Sequence, residues 1–279
     1  MKFLSDAQVD EMTKQAHEIR QIVLEMLAAS GGGHFGGSLS VIEILVGLYG
    51  SVMRVDPARP DWPDRDRLVL SKGHAGAALC PILARFGYFD ESLLLTFNKL
   101  DSPFGMHPDM HKISGCDMST GSLGHGLAVG IGMALAGRTD GKDYRVYVVL
   151  GDGECDEGSV WEAAMVASHY KLSRLTAIVD RNQVSLDGNT EEIMTLEPLA
   201  ERWRSFGWNT VEADGHDFRQ IYKAIQDAQD VQSRPTVILA HTIKGKGISF
   251  MEGKHEYHYT TLTGKELDNA RTEVGRKIQ

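Results

Sequence analysis

Two polar residues stand where two apolar runs end. Asp152 sits in the turn Gly151-Asp152-Gly153 that closes the run VYVVL, and Asn182 closes the run AIVDRN. A carboxylate and a carboxamide are oxygen donors, the kind that suit a hard cation such as magnesium or calcium. If the two runs are parallel strands joined through a helix, both groups lie at one carboxyl edge of a sheet, where open α/β sheets bind ligands. Magnesium is usually held by one or two protein groups together with substrate phosphates. The pair therefore reads as a metal–diphosphate site, with a backbone carbonyl just past Asn182, that of Val184, as the candidate third ligand. Asp and Asn are also ordinary turn residues, and the flanking glycines fit a plain turn too. The strand ends with a helix between them favour the metal.

Histidine supplies the second set. His34 lies in GGGHFGGSLS, His74 in SKGHA, His107 in GMHP, His125 in LGHG and His258 in EYHYT, all in glycine-containing or irregular stretches. A lone loop histidine is usually solvated or structural. Several at one sheet edge make a site able to handle hydroxyl protons, since imidazole titrates near neutrality and can donate or accept. No HxH or HExxH spacing points to zinc. Lys244, in HTIKGKG, is either a point charge for a phosphate or a solvated loop lysine. No Walker A loop or GxGxxG fingerprint is present, so nucleotide binding has little support.

These residues need a scaffold. Ser5 and Gln8 form a capping-box pattern for a helix over 5–29, whose apolar face is Val9, Met12, Ala16, Ile19, Val23 and Met26. A second helix is expected over Leu39–Val52, a short strand over Leu68–Leu70, a helix over Gly76–Arg85 and another over Glu91–Lys99. Residues 101–126 lack periodicity; an irregular stretch this long inside a domain is usually functional or disordered, and its His, Gly and Ser content favours a binding loop. Beyond it, helix Leu127–Ala136 leads into alternating elements: strand Tyr144–Leu150, helix Ser159–Tyr170, strand Leu175–Val179, helix Glu197–Phe206, strand Thr210–Ala213, helix Phe218–Gln229, strand Thr236–His241, and a last polar helix over Gly264–Val274. Runs such as TVILA look buried on both faces, as parallel strands are. The alternation predicts an α/β fold with a doubly wound parallel sheet. Ala163, Ala164 and Ala167 would let the helix after Gly158 approach the sheet closely, and its N-terminus would favour a nearby anion. The simplest division is one domain over 1–279, with 242–279 as a C-terminal extension.

Bulk properties exclude some classes. The 279 residues carry a net charge of −9 and 42 % hydrophobic content, which fits a globular protein and not one whose main partner is nucleic acid. Cys80, Cys116 and Cys155 form no CxxC pair and suit a reducing compartment. The N-terminus MKFLSDAQVDEM has no apolar h-region, and no apolar run approaches the ~18 residues that cross a membrane. A cytoplasmic protein without membrane contact is expected.

The segments GGGHFGGSLS, SKGHAG, GMHP, STGSLGHG, GDGECDEGSVWEA, DRN and HTIKGKG, in this order, resemble the N-terminal half of transketolase over nearly the whole chain. The resemblance implies the thiamine diphosphate-binding fold and thiamine diphosphate as cofactor. Its Mg2+ (or Ca2+ or Mn2+) would sit on Asp152, Asn182 and the Val184 carbonyl. His74, Gly121, Leu123 and Gly153 would line the cofactor, with Lys244 near its diphosphate. His34, His107 and His258 would contact the ketose donor, and Glu157 matches a carboxylate at the subunit contact beneath the cofactor. The implied reaction moves a two-carbon ketol unit from a ketose phosphate to an aldose phosphate.

Departures accompany the match. Phe35 follows the first histidine where family members often carry Pro, MEGKHEYHYTTL stands where many transketolases have Trp-His-Gly, and His125 replaces a common Gln. Length is the largest departure. Full-length transketolases add a pyrimidine-binding and a C-terminal domain, which supply the glutamate that protonates the aminopyrimidine and the groups that bind substrate phosphate. A separate C-terminal, pyrimidine-binding subunit is therefore expected, in an α2β2 assembly. Rival readings are a transketolase-like enzyme on a sulfosugar or a branched pentose phosphate, deoxyxylulose-phosphate synthase, the α subunit of an oxo-acid dehydrogenase, and a non-catalytic partner. GMHP and the short chain oppose the synthase, the N-terminal His loops oppose the dehydrogenase, and the intact polar set opposes the last.

Overall fold

The computed structural model describes residues 3–275. The first two residues of the chain and the last four of the expected 242–279 extension lie outside them.

Helix α1 (Asp6–Ala29) starts at the Ser5 capping box, in which Ser5 and Gln8 exchange hydrogen bonds. Its predicted apolar face is the buried one: Met12, Ala16, Ile19, Val23 and Met26 all face the core. After the glycine turn come α2 (Phe35–Ser40), α3 (Ile42–Gly47) and a π-helical turn Leu48–Val52. The helix expected over Leu39–Val52 thus begins at Phe35; Gly36 and Gly37 hid its start from a propensity reading. The stretch Phe35–Val52 is long and apolar enough to cross a membrane, which corrects the expectation that no run reaches that length. It is 83 % buried inside the protein, so its apolar side chains belong to the core.

Strand β1 (Arg67–Leu70) leads into α4 (Gly76–Arg85), and Glu91–Thr96 forms a 3-10 turn rather than the expected longer helix. Then follow α5 (Gly126–Thr139), β2 (Val146–Gly151), α6 (Gly158–His169), β3 (Leu175–Arg181), α7 (Thr190–Ile193), α8 (Leu199–Ser205), β4 (Asn209–Asp214), α9 (Phe218–Asp230), β5 (Thr236–His241) and α10 (Gly264–Val274).

The five strands form one sheet in the order β1-β2-β3-β5-β4, and every pairing is parallel. Alternate side chains serve opposite faces. Val146, Val148, Leu150, Ala177, Val179, Val237 and Leu239 pack with α5, α6 and α8 around Trp203 and Trp208. Tyr147, Val149, Ile178, Ile238 and Ala240 pack with α1 to α4 and α9. Burial on both faces explains the unbroken apolar runs. This is the expected doubly wound α/β architecture. Register places Gly151 opposite Asp180 and Arg181 opposite His241, so the strand ends that carry the candidate ligands share one edge.

Candidate functional site

A cavity of about 280 Å³ opens at that edge. Its walls include His34, His74, His107, His258, Asp152, Asn182 and Lys244. Gly121, Leu123, Gly153 and Val184, also expected at the site, lie around it. Residues separated by more than two hundred positions are thus brought together by the ends of β1, β2, β3 and β5 and by four loops.

The strand ends place the oxygen donors. Asp152 follows β2 and is 2 % exposed. Its Oδ1 accepts the Gly153 N–H at 2.8 Å, and its Oδ2 accepts the Gln183 N–H at 2.6 Å and Arg181 Nη1 at 3.2 Å. Burial and the neighbouring Asp180 raise the Asp152 carboxyl from its ordinary pKa, against the pull of these donors. Asn182 is oriented from both ends of its amide. Nδ2 donates to Asp180 Oδ2 at 3.2 Å, and Oδ1 accepts the Val184 N–H at 3.1 Å. Among the described residues no three His, Cys, Asp or Glu side chains converge as a closed metal site. One carboxylate, one carboxamide oxygen and the Val184 carbonyl form an open donor set instead. Such a set fits magnesium, which keeps several positions for water and phosphate oxygens.

Beneath the donors lies a buried ion pair. Lys72 Nζ donates to Asp180 and, at 2.8 Å, to the Gly37 carbonyl. Ser40 Oγ donates to Asp180 Oδ2 at 2.6 Å, and Thr242 also donates to this carboxylate. Burial alone would raise the Asp180 carboxyl, but Lys72 and these hydroxyls hold it below its ordinary pKa. Glu154, also buried, accepts the N–H groups of Gly124 at 2.9 Å and Gly151 at 3.0 Å and is hydrogen-bonded to Ser71. It ties the long loop to the end of β2. Asp117 anchors the same loop further back, accepting the Leu68 N–H at 2.7 Å and pairing with Arg65 at 2.6 Å.

Lys244 enters after β5. Its stem passes so close to Gly36 that a Cβ there would lie 2.8 Å from Lys244 Cγ. Its ammonium donates to the carbonyls of Val184 at 2.8 Å and Ser185 at 2.7 Å and lies 3.0 Å from His258 Nδ1. Three donors meet three acceptors, so of the two readings of Lys244 the solvated one is overturned: the side chain is 2 % exposed. Burial lowers its pKa to about 8. The loop behind it is fixed by Glu43, which pairs with Arg20 at 2.6 Å and His216 at 3.0 Å, while His216 Nε2 accepts the Ile243 N–H at 2.9 Å. Burial would raise the Glu43 carboxyl, but Arg20 and His216 bring it down to about 2.

The histidines form a cluster around His34. Its ring centre lies 5.3 Å from that of His74, 6.0 Å from His107 and 5.4 Å from His258, with the Tyr259 ring edge-on at 4.9 Å. The His258 loop is fastened to the His34 loop by an antiparallel bridge, in which Gly33 and Thr260 exchange N–H···O bonds of 3.0 Å. His258 thus joins the cluster although its surrounding sequence departs from Trp-His-Gly. Burial first, then neighbouring positive charge, lowers His34 to about 4 and His258 to about 3, and moves His74 in the same direction. All three rings are neutral at pH 7. His34 Nδ1 is buried with no protein partner, a polar atom left for something the cavity would hold.

Two expected members lie elsewhere. Glu157 is exposed ahead of α6, its Cβ against Gly124, and lines no part of the cavity. His125 is exposed at the start of α5. The cavity meets the 3-10 turn Gly153–Asp156 rather than the first turn of α6, so the expected helix N-terminus is not its wall. Conversely, Lys72, Glu154, Asp180 and Arg181 do not stand out in the sequence as site residues. Lys72 lies two positions before His74, and Asp180 in the same triplet as Asn182, which is the one local signal they carry.

The family model described as the transketolase thiamine diphosphate-binding domain matches residues 11–279. The 6-deoxy-6-sulfo-D-fructose transketolase subunit SqwG of Clostridium sp. (strain MSTE9) is 48 % identical, over 93 % of this chain and 94 % of its own. One of the subunits of the apulose-4-phosphate transketolase of Phocaeicola vulgatus is 39 % identical, over 98 % of this chain and 96 % of its own. The crystal structure of transketolase from Campylobacter jejuni superposes with a TM-score of 0.88 at 31 % identity, over 95 % of this chain and 42 % of that longer one.

Proposed function

The chain belongs to the transketolase family as its thiamine diphosphate-binding domain, and on that premise we propose that it is the diphosphate-binding subunit of a split transketolase, working on phosphorylated sugars with a separately encoded pyrimidine-binding subunit. One observation carries this reading: four histidines and an open oxygen donor set line a single cavity at the carboxyl edge of the sheet. When bound, thiamine diphosphate supplies the carbanion that takes up and hands on the two-carbon unit.

The chain's own groups divide the remaining work. Asp152, Asn182 and the Val184 carbonyl would hold Mg2+, or Ca2+ or Mn2+, whose charge would favour a diphosphate. A carbonyl oxygen has two lone pairs, so Val184 can accept from Lys244 and still face a cation. Lys244 would add a positive charge to the same cavity wall, favouring an anionic group there. Gly121, Leu123, Gly153 and His74 shape the cofactor's bed. Because Lys244 donates to His258 Nδ1, the neutral His258 ring carries its proton on Nε2 and presents it as a donor. His34, with its unpartnered Nδ1, and His107 at the exposed rim hold the donor's hydroxyl and carbonyl oxygens and move its protons. Glu157 takes its part only across a subunit contact.

The partner reading is supported by relatives named as subunits and nearly equal in length to this chain. It also agrees with the surface, since Leu186, in the cavity wall, is about half exposed. An α2β2 assembly in the cytoplasm is the arrangement we propose; Cys80, Cys116 and Cys155 are all free and buried, as in a reducing compartment.

The test is donor cleavage by the co-purified pair, with xylulose 5-phosphate, apulose 4-phosphate and 6-deoxy-6-sulfofructose offered in turn. A ketose phosphate should be cleaved, and His107→Ala should lower that rate by about 100-fold while thiamine diphosphate affinity holds. Normal turnover by His107→Ala removes that residue from the site. The 48 % identical relative named for a sulfonated ketose favours a second donor reading, which prevails if the sulfosugar alone is cleaved.

A further inference from the structure

We propose that Arg181 is a positioning residue that ties segment 184–197 to the metal carboxylate, so that the Val184 carbonyl is set in place by the same guanidinium that braces Asp152. The inference rests on the reading of Asp152, Asn182 and Val184 as metal ligands.

Arg181 is the last residue of β3, and its side chain is 3 % exposed. Its Nη1 donates to Asp152 Oδ2 at 3.2 Å and to Thr190 Oγ1 at 2.7 Å. Its Nη2 donates to Glu191 Oε1 at 3.1 Å and Glu197 Oε1 at 2.9 Å. One planar fork therefore spans the end of β2 and three residues of the segment after β3. That segment has little regular structure of its own, with one bridge between Val184 and Asn189 and the four-residue helix α7. The two carboxylates carry the order onward. Glu191 accepts the N–H groups of Leu196 and Glu197, both at 3.3 Å, and Glu197 Oε2 accepts the Leu199 N–H at 2.8 Å. Thr190 N donates to the Gln183 carbonyl at 3.0 Å and closes the loop onto the ligand stretch.

The charges explain why two glutamates are present. An isolated guanidinium beside Asp152 would compete with a divalent cation for that carboxylate. Glu191 and Glu197 neutralise it, and neither lines the cavity. Lysine would keep the charge but lacks the fork needed to reach both sets of acceptors.

Two readouts on the full chain test this. One is magnesium-dependent thiamine diphosphate affinity by calorimetry; the other is amide hydrogen exchange across 184–197 in the metal-free protein. Arg181→Met should weaken the affinity by about tenfold or more, the range for residues that orient metal ligands. It should also speed exchange in 184–197 while β2 and β5 keep their protection. Arg181→Lys should recover only part of either. The paired change Glu191→Gln with Glu197→Gln should also weaken affinity, because the segment loses two carboxylate anchors and the guanidinium loses two of its counter-charges. If Arg181→Met unfolds the chain, the lysine variant and the glutamine pair decide. Unchanged affinity and exchange in these variants, with Asp152→Asn still abolishing binding, overturns the role of Arg181 alone. Unchanged affinity in Asp152→Asn overturns the metal reading beneath it.

Discussion

At the residue scale the site is a set of groups held in one protonation state by where they sit. His34, His74 and His258 are lowered by burial and by nearby lysines, to about 4 for the first and about 3 for the last. In the unfolded chain a histidine titrates near 6.5. Between those values the unfolded state binds protons that the folded state refuses, so native stability is complete above pH ~6.5 and falls as the pH drops towards ~4. Denaturant unfolding of the cofactor-free chain between pH 7 and 4.5 should show that fall, and the double variant His34→Gln, His258→Gln should flatten it. An equal slope in the variant would show that other groups dominate. Asp152→Ala should abolish magnesium-dependent thiamine diphosphate binding with the helical circular dichroism intact; unchanged affinity would remove Asp152 from the metal site. Residue types and turns singled out Asp152, Asn182 and five loop histidines, because polar groups at strand ends and in glycine-rich loops are a local pattern; four of the five line the cavity and His125 does not. Asp180 and Lys72 are not marked out in this way. Their meaning comes from a contact between positions 108 apart in sequence, which no local pattern encodes.

At the element scale, the strand ends and two loop fastenings turn those residues into a site. The Lys72–Asp180 pair joins β1 to β3 beneath the cavity and sets the Asn182 amide. Removing one member of a buried pair strands the other, so Lys72→Met should cost about 3–5 kcal/mol, while Lys72→Met with Asp180→Leu should cost less. Urea midpoints of the three proteins check this; a double variant no better than the single would deny the pairing. The His258 loop depends on Gly32, whose φ is +124° and whose added Cβ would lie 2.6 Å from the Thr260 carbonyl. Gly32→Ala should destabilise by about 1–3 kcal/mol and raise the KM for the ketose donor more than it weakens cofactor affinity. Wild-type values for both would show that the bridge does not place His258. Element types were legible because apolar periodicity is local: α4, β5 and α10 lie where the pattern put them. Helix starts were less so. The run from Phe35 opens on glycines and is stabilised by burial, not propensity.

At the scale of the whole molecule, the alternation of strands and helices announced a parallel sheet, but the insertion of β5 between β3 and β4 is a choice of neighbours that only the packed chain makes. That insertion brings Lys244 beside Val184 and closes the cavity. On the proposed reading the cavity is one side of an active site, with four histidines and the oxygen donors in its wall and Glu157 exposed outside it. On the same reading a second polypeptide completes it. The direct measurement is turnover of xylulose 5-phosphate with ribose 5-phosphate, in thiamine diphosphate and magnesium, by this chain alone and after addition of the pyrimidine-binding subunit from the same organism. Activity that appears only in the mixture is the predicted result. Turnover by this chain alone, at the rate of the mixture, would show that no second polypeptide is needed.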